Sequence, residues 1–205
     1  MKNYALAKKV RCGLVASFHF MLALITVPVR EAGADTTLGV QVLFDRAPDD
    51  FSEPMATKLP VDIAHTFANG VMIGGSIEPQ IKSGSDDATY NLEGTVGYGW
   101  KLNDVISIGG SAGVGERFTG EFAFPYYVLR VRADIEFSER WTWNTITYRF
   151  RDSFESSNDY NTPEVATGFS FKVDDSHSIS VKYYYSWKEG TPEDQGIGIG
   201  YKFHF

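Results

Sequence analysis

Ten successive stretches of about ten residues alternate apolar and polar side chains, and this period of two constrains the chain more than any other feature. The stretches run approximately 36 to 45, 58 to 68, 71 to 82, 90 to 102, 105 to 114, 126 to 137, 141 to 151, 163 to 173, 178 to 188 and 195 to 205. In the third, Val71, Ile73, Ile77 and Ile81 share one face and Gly74, Ser76, Glu78, Gln80 and Lys82 the other. The sixth sets Leu129, Val131, Ala133, Ile135 and Phe137 against Val128, Arg130, Arg132, Asp134 and Glu136. The seventh breaks phase, because Trp141 and Trp143 fall on the side that Thr145, Thr147, Arg149 and Arg151 continue; a bulge near Asn144 would restore it, though no residue there marks one.

The connections alternate between long and short. Asn69-Gly70 and Asn103-Asp104 mark tight turns, whereas residues 46 to 57, 83 to 89, 115 to 125, 152 to 162 and 189 to 194 form longer loops at the opposite end. An even number of antiparallel neighbours with tight turns on one side is the pattern of an outer-membrane barrel, the short turns facing the periplasm. The fold class expected is all-β: an antiparallel transmembrane β-barrel of about ten strands. Ten residues rising ~3.3 Å each and tilted ~45° cover roughly 23 Å, close to the ~25 Å apolar band of such a membrane. A soluble barrel would alternate too, with its apolar face inward. Three features put lipid outside: aromatics near strand ends (Phe44, Tyr90, Trp100, Tyr126, Tyr127, Phe150, Trp187, Phe205), glycines and serines on the polar face, and an aromatic last residue.

The only apolar run long enough for a membrane helix lies at the N-terminus, so a multi-helix transporter is excluded. Lys2, Lys8, Lys9 and Arg11 precede this run, which ends in Ala32-Gly33-Ala34; residues 1 to 34 read as a signal peptide and 35 to 205 as the barrel. Cys12 falls in the leader, which leaves an exported domain without disulfides. Residues 35 to 205 hold 14 basic and 25 acidic side chains, a net charge of −11 that argues against a nucleic-acid partner.

The end of the chain, Gly-Ile-Gly-Ile-Gly-Tyr-Lys-Phe-His-Phe, resembles the terminal strand by which bacterial outer-membrane proteins are recognised by the barrel assembly machinery, with Tyr201, Phe203 and Phe205 as the assembly signal. Three further segments are His65-Thr-Phe-Ala-Asn-Gly70, Pro125-Tyr-Tyr-Val-Leu-Arg130-Val-Arg132-Ala133 and Tyr148-Arg149-Phe-Arg151. They resemble the small monomeric oligogalacturonate porins of Gram-negative outer membranes. That family has twelve strands, two more than are counted here. The resemblance implies an anion-conducting lumen lined by Arg130, Arg132, Arg149 and Arg151.

The parity of the strands gives a charge map of its own. Basic side chains on the lumen phase are Lys82, Lys101, Arg130, Arg132, Arg149, Arg151, Lys172, Lys182 and Lys202, against Asp62, Glu78, Glu93, Asp134 and Glu136. The remaining acids, including Asp45, Asp49, Asp50, Glu53, Asp86, Asp87, Glu189, Glu193 and Asp194, are assigned to loops beside lipopolysaccharide, where they could hold divalent cations. Two readings of the lumen stay open: a pore, or a network of ion pairs that closes a small barrel. The basic residues cluster on the sixth to ninth strands while Glu78 and Glu93 sit on the third and fourth, which favours unpaired cations.

No catalytic site is expected. His65, His177 and His204 all fall at the periplasmic end, and Asp174-Asp-Ser-His177 reads as a turn. No metal-ligand spacing and no phosphate-binding glycine loop opening a helix appear, so no cofactor is expected. Tyr184, Phe118, Phe122 and Phe124 could offer sugar-stacking surface or pack among themselves. The function expected is a narrow passive pore for small anionic solutes such as acidic oligosaccharides, the alternative being a non-conducting structural or surface-interaction barrel.

Overall fold

The computed structural model describes residues 34–85, 88–120 and 122–205. The leader, including Cys12, and Asp86 and Asp87 lie outside the described residues. The strands are β1 (Asp35–Arg46), β2 (Pro54–Lys58), β3 (Val61–Thr66), β4 (Val71–Lys82), β5 (Ala88–Lys101), β6 (Ile106–Phe118), β7 (Ala123–Glu136), β8 (Trp141–Ser153), β9 (Thr162–Lys172), β10 (His177–Lys188) and β11 (Thr191–His204). One 3-10 turn, Ser156–Asn158, interrupts the loop between β8 and β9. β2 and β3 both lie between β1 and β4 without a change of register, so they are halves of one strand. The break falls at Leu59-Pro60, because proline has no N–H to give the ladder. Ten strand positions therefore form the wall, all antiparallel, and β11 closes it by pairing with β1.

A line of directly opposed residues can be followed once round the wall: Asp35, Thr66, Met72, Gly97, Ser111, Arg130, Arg149, Glu164, Ser186, Asp194. Asp194 precedes Gln195, the residue opposite Arg46, so the line returns to β1 level with Ala47, twelve residues above its start. Ten strands with that stagger tilt by about 40° and enclose a backbone cylinder of about 10 Å radius.

Large apolar side chains cover the outside. Val40, Val96, Val114, Leu129, Val131, Ile146, Ile179, Val181 and Ile199 are exposed, and aromatics mark both edges of this band, with Phe44 and Tyr90 at one level and Trp100, Trp141, Trp143, Tyr201 and Phe205 at the other. Polar side chains line the interior. A wall that is apolar outside, polar inside and free of unpaired edges is a membrane-spanning barrel of the outer-membrane type. Tyr126 departs from the girdle expected of it, since it is wholly buried in the lumen.

The bulge is present on β8: Ala133 opposes Ile146 while Asp134 opposes Asn144, and Asn144 and Thr147 face Gly168 and Ala166 across β9. The extra residue lets Trp141 and Trp143 face lipid while Thr147, Arg149 and Arg151 face the lumen.

The four short turns share one construction. Phe67, Leu102, Phe137 and Val173 each donate their N–H to the carbonyl four residues on, which leaves three-residue turns in place of the two-residue ones expected at Asn69-Gly70 and Asn103-Asp104. A side-chain oxygen in each turn, from Asn69, Asn103, Ser138 or Asp174, accepts from backbone N–H groups two or three residues later. Asp174, Ser176 and His177 are thus accounted for as a turn.

At the other end the strands run further than their patterning suggests. The expected loop 189 to 194 is a two-residue hairpin turn, Glu189-Gly190, with both residues at positive φ (49° and 77°). The outer part of β11 carries lumen-facing acids, which is why Asp194 is no loop residue.

Candidate lumen site

The lumen holds two cavities that share no lining residue, one of about 420 Å³ on the short-turn side and one of about 470 Å³ towards the long loops. A layer of buried charge separates them. Its hub is Arg151 on β8, which donates from Nε to Glu93 Oε1 at 2.6 Å and from Nη1 to Glu78 Oε1 at 2.8 Å. These partners sit on β4 and β5, four and three strand positions round the wall, so the guanidinium bridges the lumen. Arg149 donates to Glu164 on the neighbouring β9 at 2.7 Å and lies 3.5 Å from Glu78. Arg130 on β7 pairs with the second oxygen of Glu93.

Neutral donors complete the carboxylates. Tyr126 donates to Glu93 at 3.0 Å, and Asn91 donates to Glu78 at 3.0 Å. A second cluster lies beside the first: Lys58 is 2.9 Å from Asp45 and 3.2 Å from Asp194, Tyr184 donates to Asp45, and Ser186 donates to Asp194 at 2.7 Å. Such burial is tolerable only because each charge meets an opposite charge or a hydrogen-bond donor.

The loop after β8 folds over the outer mouth. Tyr160 packs edge-on against Phe124 and Tyr126, donates to Asn91 Oδ1 at 3.1 Å and lies under the Arg117 guanidinium, 5.1 Å from its ring centre. A continuous chain of contacts therefore runs from Tyr160 through Asn91 and Glu78 to Arg151.

Several expectations need correction against this geometry. Arg130 and Arg149 are directly opposed, as antiparallel pairing requires, yet they form no free basic patch, because Glu78, Glu93 and Glu164 reach them. Asp45 and Asp194, assigned to loops, are buried lumen acids. Tyr184 is wholly buried against Asp45 and offers no stacking surface; Phe124 is buried under Tyr160, and only Phe122 stays half open beside it. Lys58, Glu164, Arg117 and Tyr160 were missed by sequence reasoning. Parity alone could have found Lys58 and Glu164, since Lys58 shares the phase of Asp62 and Glu164 that of Gly168.

The other charged residues lie as follows. Lys82 lines the outer cavity, and Arg130, Arg132, Lys182 and Lys202 line the inner one. Lys101 is exposed at the end of β5, and Lys172 is half-exposed and pairs with Asp175 at 2.8 Å in the turn, so both stand at the short-turn rim. The three histidines stay at that end, His65 bonded to Thr36, His177 to Tyr201 and His204 to Asp35. Tyr201, Phe203 and Phe205 point outward, and Phe205 N–H donates to Thr36 at the closing seam. Among the described residues no group of His, Cys, Asp and Glu side chains could hold a metal ion.

No protein-family model matches the chain, and no curated protein matches it. Among solved structures it is similar to the KdgM porin, at 17% identity over 82% of this chain and 99% of that one, with a TM-score of 0.45. It is similar also to the NanC porin (10% identity, 81% and 98% coverage, TM-score 0.49). A third neighbour is the N-terminal β-barrel domain of Pseudomonas aeruginosa OprF (9% identity, 83% and 97% coverage, TM-score 0.41). These neighbours are outer-membrane porins and barrels.

Proposed function

We propose that this chain is a low-conductance outer-membrane channel for small anionic solutes, with the Arg–Glu layer as its constriction. The observation that carries this reading is the pair of polar cavities, about 420 and 470 Å³, on either side of one thin charged layer. A barrel built only as a scaffold would fill its lumen with side chains along its whole length. The charge of the cavities supports anions. Apart from the residues of the buried ion-pair network, Arg132, Lys182 and Lys202 line the inner cavity against Asp62 and Asp134, and Lys82, Arg117 and Lys188 line the outer against Asp159 and Glu193, a surplus of one positive charge on each side. An anion entering from either side meets surplus positive charge and can exchange with a glutamate for an arginine partner. Arginine offers that exchange because its planar fork holds carboxylates bidentately without losing its own charge. Acidic oligosaccharides fit this chemistry as solutes.

The closed state of the layer favours a second reading, a non-conducting barrel stapled by internal ion pairs. Planar-bilayer recordings of the refolded barrel separate the two. The channel reading expects small unitary steps and a reversal potential on the anion-selective side, which replacing Arg130, Arg132, Arg149 and Arg151 together by Gln lowers or inverts. An electrically silent barrel leaves the stapled reading in its place.

A further inference from the structure

The four lumen cations of the central layer, Arg149, Arg151, Arg130 and Lys58, each have a carboxylate partner. The inner cavity differs. Lys182 lines it and makes no ion pair within 4 Å among the described residues; its ammonium lies 5.8 Å from the centre of the Tyr184 ring, and Glu164, the carboxylate whose field reaches it, is held by Arg149 at 2.7 Å. Arg132 is half-exposed to the same cavity. Its carboxylate partner is Asp134, whose Oδ2 lies 3.7 Å from Nε while Oδ1 accepts from Asn144 at 2.9 Å, and its Nη2 rests on the sulfur of Met72 at 3.7 Å. Arg130 gives one nitrogen to Glu93 and otherwise faces the cavity. The other charges on this lining are Lys202 and Asp62, which flank Gly39 on either side.

The wall is shaped to keep these cations at its surface. Lys182 is directly opposite Gly168 on one flank and Gly198 on the other, and Arg132 is opposite Gly109. A Cβ on Gly198 would stand 3.0 Å from Lys182 Cε, and one on Gly109 would stand 3.0 Å from Arg132 Nε. The side-chain stems lie along the wall over bare glycine, which leaves open volume in front of the charged heads. Hydroxyls surround that volume: Ser111 is opposite Arg130, Thr147 is opposite Arg132, and Ser170 and Ser180 are opposite one another.

We infer that the inner cavity is a saturable binding site for one small oxyanion, a carboxylate or a phosphate, held by Lys182, Arg132 and Arg130 with the neighbouring hydroxyls as further donors. A lysine without an ion pair and two arginines that each hold a single carboxylate, in a concave polar cavity of about 420 Å³, are an arrangement that binds a small charged molecule. The site deepens the channel reading by placing its anion selectivity beneath the constriction, yet it binds from the periplasmic side whether or not the layer opens.

Isothermal titration of the refolded full barrel with inorganic phosphate and with glucuronate tests it, glucose serving as the uncharged control. One-to-one saturable binding of at least one anion and none of glucose is expected. Lys182→Gln and Arg132→Gln should each weaken that binding about tenfold or more, the cost of one charge-assisted hydrogen bond. Arg140→Gln, which removes the same charge from an exposed turn, should leave it unchanged. If phosphate binds and glucuronate does not, the site takes the inorganic ion; the reverse assigns it to organic acids. Absence of saturable binding, or equal weakening by Arg140→Gln, overturns the site. Bilayer conductance is read separately, so binding without conduction refutes the channel and keeps the site, while conduction with binding untouched by Lys182→Gln does the opposite.

Discussion

Replacing Arg151 by Gln should destabilise the barrel and open it at once. The side chain is 5% exposed and holds two carboxylates that are themselves 6% and 1% exposed, so its loss leaves two buried anions each short of a partner. Removing one member of a buried pair costs about 3–5 kcal/mol. The lower end applies here. Glu78 keeps Asn91 and the more distant Arg149, and Glu93 keeps Arg130 and Tyr126, so neither carboxylate is abandoned. A loss of about 3 kcal/mol is therefore expected in urea unfolding of the barrel from lipid vesicles. The double variant Arg151→Gln/Glu78→Gln should recover part of it, because Glu78 is the carboxylate left with the weaker partners and its loss leaves Arg149 paired with Glu164. The same variant should raise unitary conductance, since Arg151 is the side chain that spans the lumen between the two cavities. A loss below about 0.5 kcal/mol with unchanged conductance would refute both the hub and the constriction.

Other expectations follow from particular contacts. Tyr184→Phe removes a buried hydrogen bond to Asp45 and should cost about 1.5–3 kcal/mol in the same unfolding assay. Gly113→Ala places a Cβ 2.2 Å from the Gly94 carbonyl and should lose about 1–3 kcal/mol, whereas Gly99→Ala, which meets nothing within 4 Å, should be close to neutral. Deleting Thr145 removes the bulge but leaves Asn144 and Ile146 alternating regularly, so Trp141 and Trp143 should stay on the lipid face and the heat-modifiable folded band should persist on gels. Truncation after His204 should reduce the folded barrel in cells while leaving a refolded sample nearly as stable, because Phe205 contributes one terminal backbone hydrogen bond; normal surface levels would refute the assembly-signal role. Epitope tags between Asp49 and Glu53 should label on intact cells, and tags at Asn69-Gly70 should not.

Strand number, wall order and the facing of nearly every residue were legible in the sequence because a period of two is local: each side chain's side is decided by its immediate neighbours. The bulge at Asn144 was legible for the same reason, as two tryptophans on the wrong phase signal one extra residue. Strand ends on the outer side were not, because β6 and β11 continue past the membrane band through Gly115, Glu116, Glu193 and Asp194, where no lipid imposes alternation of apolar with polar. Pairing of the lumen charges was legible least. Neighbouring strands are the natural place to look for counter-charges, and on that basis Arg151 has none: β7 and β9 oppose it with Val128 and Thr162. Its partners lie on β4 and β5, a relation fixed by the curvature and stagger of the closed wall rather than by any local pattern.

That dependence on curvature gives the strand count its functional weight. With ten strands and a stagger of twelve residues the backbone diameter is about 20 Å, and Arg and Glu side chains extended from strands three or four positions apart meet inside it. Diameter grows in proportion to strand number, so a twelve-stranded wall built the same way would measure about 24 Å and hold the same side chains apart. Arginines on two adjacent strands would then face open water as a continuous anion track. In the ten-stranded wall two of them, Arg149 and Arg151, are consumed by Glu78, Glu93 and Glu164, and the surplus positive charge is displaced to the two cavities on either side. The glycines opposite Lys182 and Arg132 then acquire a definite use. In a lumen this narrow, any Cβ at Gly109 or Gly198 would push a cationic side chain away from the wall and into the remaining volume, so an anion could share the inner cavity with those cations only where the wall beneath them is bare.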